Sequence, residues 1–167
     1  MRTLLTLLLL AAPLAHAQAV VVDRIVATVD SRAITRSELE ERMKRGKLTR
    51  NEALNELVEE YLITKDAIAK SITVSDEEVE RAIGEVKKSN NIDDPTFDAA
   101  LKAQGYTLQQ YRTSIGLQLL QMRWLMIRTS SLERPAEPEK RDAFMEAQKK
   151  KLVTELRSKA AITQGAP

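Results

Sequence analysis

The sequence predicts a mainly α-helical protein: a bundle of five to six helices, with a small strand pair joining the N- and C-terminal segments. Three observations predict it. Charged residues make up 30% of the 167 and aromatics only 4%, with 5 Gly and 5 Pro, the composition of solvated helix faces. Four S/T-x-x-E/Q boxes each head a run with apolar residues at helical spacing. Two β-branched runs stand far apart in sequence, and a lone strand is not stable unless it finds a partner.

The first 19 residues, MRTLLTLLLLAAPLAHAQA, have a positive start, an apolar run over 4–14 and small residues at Ala15, Ala17 and Ala19. That is the layout of a secretory signal peptide, cleaved after Ala17 or Ala19. The apolar run is too short to span a bilayer, which needs about 20 residues. Cleavage would remove His16, the only histidine, and there is no cysteine. Ser–His and Cys–His nucleophile pairs, and zinc sites built on His and Cys, are then out of reach. No P-loop occurs. The expectation is no catalytic residue, no metal and no cofactor. Without Arg2, 25 basic residues face 24 acidic ones, a balance unlike the basic footprint of a nucleic-acid binder. No later run is apolar and long enough for stable membrane insertion.

Residues 20–129 read as one domain. Val20–Val29 is β-branched and largely apolar, hence a strand, and Asp30-Ser31-Arg32 supplies turn chemistry. Thr35 and Glu38 form a capping box for a helix over 36–45 that stops at Gly46. Thr49 and Glu52 open a second helix with Leu54, Leu57, Val58, Tyr61, Leu62 and Ile68 on one face. Ser71–Val74 is a connector whose Ile72 and Val74 plug the core. Ser75 and Glu78 open a third helix that buries Val79, Ala82, Ile83 and Val86. Asp94 caps a short fourth helix with Pro95 at its first position, ending at a left-handed Gly105. Thr107 and Gln110 open the longest helix, running to Arg128. Pro135 and Pro138 mark residues 130–138 as a linker. Residues 139–159 resume as a charged helix, 160–163 form a short strand, and 164–167 fray. Pairing the two strands closes the chain on itself. Exchanging them between two copies would satisfy the same pairing and give a homodimer.

Several stretches now carry a family resemblance. VVDRIVATVDSRAITRSELEERM resembles the opening of SurA-type periplasmic chaperones. ALNELVEEYLITKDAIAKSITVSDEEVERAI and NNIDDPTFDAALKAQGYTLQQYRTSIGLQLLQMRW resemble the segments that follow in that family. The similarity runs from Val21 to Arg128. In such proteins one or two parvulin-type prolyl-isomerase modules come next, before a closing helix and strand. Here residues 130–138 stand in their place, and residues 139–163 take the closing position. The resemblance implies the chaperone core without its isomerase.

It further implies a periplasmic, ATP-independent holdase for unfolded polypeptides, notably outer-membrane β-barrel precursors. A surface for that purpose must be apolar, adaptable and rimmed by charge. The segment 117–127, LQLLQMRWLMI, is apolar almost all round. Its Leu119, Met122, Trp124 and Met126, with Met43, Tyr106 and Tyr111, are the candidate contact set. Packing of Met122, Trp124 and Met126 under Phe144 and Leu152 is the competing account. Two other functions stand beside the holdase: a non-catalytic, strand-swapped dimeric adaptor for one envelope partner and, less favoured, a peptidyl-prolyl isomerase. The nine acidic residues between Glu52 and Glu80 read as solvated helix faces that could also steer a client or pair two subunits.

Overall fold

A computed structural model of the chain describes residues 23–165. The leader read at residues 1–19 lies outside them. The elements run β1 (Ile25–Val29), β2 (Arg32–Thr35), α1 (Arg36–Gly46), α2 (Arg50–Ala69), α3 (Asp76–Ser89), α4 (Asp94–Ala103), α5 (Leu108–Arg128), α6 (Pro138–Lys159) and β3 (Ile162–Gln164). Six helices therefore carry one small antiparallel sheet of order β2-β1-β3.

The strand pair joining the chain's two ends is present, with Thr28 opposite Thr163 and Val29 opposite Ile162. A third strand joins it. The residues read as a turn leading into α1 make a tight hairpin instead, with Val29 opposite Arg32. Asp30 takes the left-handed conformation at φ 53°, which a short polar side chain tolerates. Its carboxylate accepts from the backbone N–H of Ala161 at 2.9 Å and from Lys65 Nζ at 2.8 Å, tying the hairpin to β3 and α2. A register irregularity between Ile25 and Ala27 lets both Val26 and Ala27 face the core, at 6% and 1% exposure.

The boxes at Thr49, Ser75 and Thr107 are complete, with donor and acceptor exchanged in both directions. The box at Thr35 is half made. Its hydroxyl accepts from Glu38 N, but the Glu38 carboxylate turns to Arg32. Helix α1 carries Gly46 in its last turn and stops one residue later, with left-handed Lys47 at φ 51°. Asp93, rather than Asp94, caps α4 by accepting from Thr96 N at 3.0 Å. Gly105 is left-handed, at φ 76°. The longest helix is α6 at 22 residues, one more than α5.

Three apolar clusters hold the fold. The first packs the sheet and α1 on the front of α2, around Val29, Ile34, Leu39 and Leu57. The second joins α2, α5 and α6 through Ile63, Ala67, Ile72, Trp124 and Val153. The third packs Val79 and Ile83 of α3 and Phe97 and Leu101 of α4 against α5. Ile72 and Val74 plug the second and third clusters as the connector's sequence implied. Ile68 does not join the α2 core face. That face turns from Leu57 and Leu62 to Ile63 and Ala67 where α5 and α6 replace the sheet as neighbours, leaving Ile68 69% exposed.

Candidate functional site

Helix α5 lies between the other helices, yet Trp124 is its only fully buried residue. Its apolar residues exceed what its neighbours cover. Tyr111, Ile115 and Leu119 recur every four residues and form one stripe, packed half-buried on α3 and α4. Met122 and Met126 continue that stripe beyond the start of α3 and stand open, at 56% and 47% exposure. Ile127 and Leu132 add exposed apolar surface nearby in sequence.

Two grooves flank α5. One, of about 610 Å³, runs between α2, the 70–74 connector, α3 and α5, with Ile68, Val74, Val79, Leu117 and Leu120 on its walls. Gly116 lies in it; a methyl group there would meet Val79 at an ordinary 3.5 Å. The other, of about 600 Å³, lies between α1, α2 and α5 and is more polar. Arg45 reaches across it to within 5.1 Å of the Tyr106 ring centroid. Leu117, Gln109 and Thr113 line both grooves, so α5 forms the ridge between them.

The contact set inferred from sequence is thus divided. Met122 and Met126 are exposed as a binding role requires. Trp124 is not a surface residue: it is 0% exposed, and its Nε1 donates to Asp66 at 2.8 Å. Leu152 packs against the cluster that holds it. Leu119 and Tyr111 are half-buried, Tyr111 meeting Phe97 edge to face at 5.3 Å. Tyr106 lines the polar groove while packing half-buried on the third cluster, and Met43 sits apart in a shallow depression with Leu48. Ile68 was read from sequence as a core residue, and Leu117 and Ile127 fell within the candidate segment but outside the contact set. Their helical spacing fits a core face, and only the position of neighbouring helices shows which faces stay open.

Ion pairs hold α5 in place. Arg123 grips Glu78 with both guanidinium nitrogens and also donates to the Thr73 carbonyl. Arg123, then the Ser75 backbone N–H, holds the Glu78 carboxyl down at about 2. Arg112 pairs with Glu80 at 2.5 Å. The acidic run on α2 and α3 is answered locally: Glu56 and Glu60 by Arg42, Glu59 by Lys149, Asp66 by Lys70 and Arg128. Among the described residues no cluster of His, Cys, Asp or Glu could hold a metal ion. No helix among them is long and apolar enough to cross a membrane. The arrangement offers apolar and hydrogen-bonding surface for a bound chain.

A family model described as the SurA-like N-terminal domain matches residues 3–125. The chaperone SurA of Saccharophagus degradans is 29% identical over 123 residues, 65% of this chain and 29% of that protein. The chaperone SurA of Hahella chejuensis is 29% identical over 164 residues, 90% of this chain and 38% of that protein. The chain thus spans about a third of the length of these curated relatives. Among solved structures, it matches one described under the virulence factor PEB4 and the periplasmic protein Cj1289, two structurally related SurA-like chaperones of Campylobacter jejuni. The TM-score is 0.54 at 27% identity, covering 76% of this chain and 50% of that one.

Proposed function

The chain belongs to the SurA-like N-terminal domain family, and from that premise we propose that it is a periplasmic, ATP-independent holdase. It keeps unfolded exported polypeptides, outer-membrane β-barrel precursors among them, from aggregating. The observation that carries this reading is the half-covered α5: a 21-residue helix rich in Leu, Ile and Met with one fully buried residue and a groove on each side. Apolar surface left open in this way is a binding site in a protein that has to stay soluble. The thioether side chains of Met122 and Met126 adapt to many partners. Clients leave by folding elsewhere, because each contact is weak.

Residues 129–137 lead from α5 into α6 directly, without an intervening isomerase module. The proposal therefore assigns no catalytic step. The end-strand pairing that a swapped dimer would exchange is made here within one chain.

The test is light scattering after an unfolded outer-membrane β-barrel protein is diluted from urea into buffer without nucleotide. Near-stoichiometric protein is expected to suppress aggregation. The Met122→Gln/Met126→Gln variant is expected to suppress it several-fold less well. A folded wild-type protein that leaves the scattering unchanged overturns the proposal.

A further inference from the structure

The polar groove has a regularity that the apolar surface does not explain. Gln110, Ser114, Gln118 and Gln121 all line it from α5. They stand at i, i+4, i+8 and i+11, one face of the helix. At about 1.5 Å per residue, the four-residue steps place polar groups about 6 Å apart. An extended polypeptide presents main-chain N–H and C=O groups along one edge about every 6.6–6.8 Å. The two repeats differ by less than a glutamine side chain can bend to meet.

The hydrogen-bonding capacity on this face is largely unspent. Gln110 Oε1 serves the cap of α5 by accepting from Thr107 N at 2.9 Å, which leaves its NH₂ as a donor. Gln118 Nε2 donates to Ser114 Oγ at 3.4 Å, which leaves the Gln118 carbonyl oxygen and the Ser114 hydroxyl hydrogen for a guest. The Gln121 side chain makes no hydrogen bond among the described residues. Neutral amides and hydroxyls pair with peptide groups without choosing among side chains.

The facing wall supports the same reading. Glu38, Glu41, Arg42 and Arg45 share one face of α1, and all are paired within the chain. Arg42 holds Glu60 at 2.6 Å and Glu56 at 3.3 Å, Arg45 holds Glu41, and Arg32 holds Glu38. Their charges are spent internally, so the groove makes no demand for a guest of either sign.

We propose that the groove between α1 and α5 is a main-chain track. Gln110, Ser114, Gln118 and Gln121 hydrogen-bond the backbone of one extended segment of an unfolded client, while its apolar side chains rest on Leu117 and the ridge. This deepens the holdase reading and rests on it. A helical guest does not fit the scheme, because its backbone groups are already satisfied. The track accepts extended segments with free N–H groups and discriminates against N-substituted ones.

The experiment measures binding of a labelled peptide of alternating valine and threonine, and of the same peptide N-methylated at every second residue. Each is titrated into the wild-type chain and into Gln118→Met/Gln121→Met, which keeps side-chain length and removes the amides. N-methylation is expected to weaken wild-type binding about tenfold and to matter little in the variant. Equal binding of both peptides by wild type overturns the track. So does equal discrimination by wild type and variant, which places backbone recognition elsewhere. In either case, suppressed aggregation of the barrel protein leaves the holdase standing. If wild type binds neither peptide and suppresses no aggregation, both readings fall. Circular dichroism of the variant verifies its fold.

Discussion

Asp66 sits where α2, α5 and α6 meet, and its carboxylate takes the Trp124 indole hydrogen bond and faces two cations. Trp124 Nε1 lies at 2.8 Å, Lys70 Nζ at 3.1 Å and Arg128 Nε at 3.7 Å, while Arg128 also reaches Glu155 of α6 at 3.7 Å. Burial pushes the Asp66 carboxyl up, but Trp124, Lys70 and Arg128 outweigh it and the net shift is downward. Asp66→Ala would leave a buried indole N–H without an acceptor. Urea unfolding should report a loss of about 1–3 kcal/mol, with Trp124 emission moving to the red. Glu78 is held more strongly, at about 2 against an ordinary 4.5. A depressed carboxyl adds stability above its unfolded pKa and loses it as pH falls through the folded one. Thermal melts of the wild type should therefore decline between about pH 4.5 and about pH 2, and Glu78→Gln should flatten part of that decline. The Trp124–Asp66 bond was illegible in the sequence because its partners stand 58 residues apart. The caps at Thr49, Ser75 and Thr107 were legible because each is closed within four consecutive residues.

At the scale of elements, what matters is how much of each helix its neighbours cover. Helix α6 buries only Val153 fully, and its core residues Leu152, Val153 and Leu156 lie in its C-terminal half. Its first turns have no side-chain cap. Amide hydrogen exchange should accordingly be faster over 138–147 than over 149–157. Helix α5 shows the limit of periodicity as a guide. Its sequence announced an apolar helix with candidate contacts at Met122 and Met126, but not which apolar residues would face open space. Met122→Gln/Met126→Gln should shift the urea midpoint by no more than about 0.5 kcal/mol in free energy, since both side chains are exposed. Thr107→Ala, which removes one arm of a complete box, should cost about 1 kcal/mol. The hairpin strand β2 escaped notice because four residues beside a turn carry too little pattern to separate a strand from a helix lead-in.

The whole molecule is organised around α2, which serves the sheet on one flank and α5 and α6 on another. Its sheet is completed by β3, whose Thr163 hydroxyl meets that of Thr28 across 135 positions of sequence. Asp30 N donates to Ala161 O at 2.8 Å, and Gly165 N donates to Val26 O at 2.8 Å, extending the same seam. A chain ending at Ala160 should unfold at a lower urea concentration than the full chain, because β1 would lose its second partner. That joining of distant segments was readable from composition, since each strand needed a mate. The seam also sets an order of events during synthesis. The helical part can form while the chain is still growing, because the contacts of α2 with α1 and α5 lie within residues 36–128. One edge of β1 must wait for residues 162–164, so the sheet is finished after the packing of α1, α2 and α5 can form. A newborn chain therefore stays unsealed along that edge until residues 162–164 have emerged.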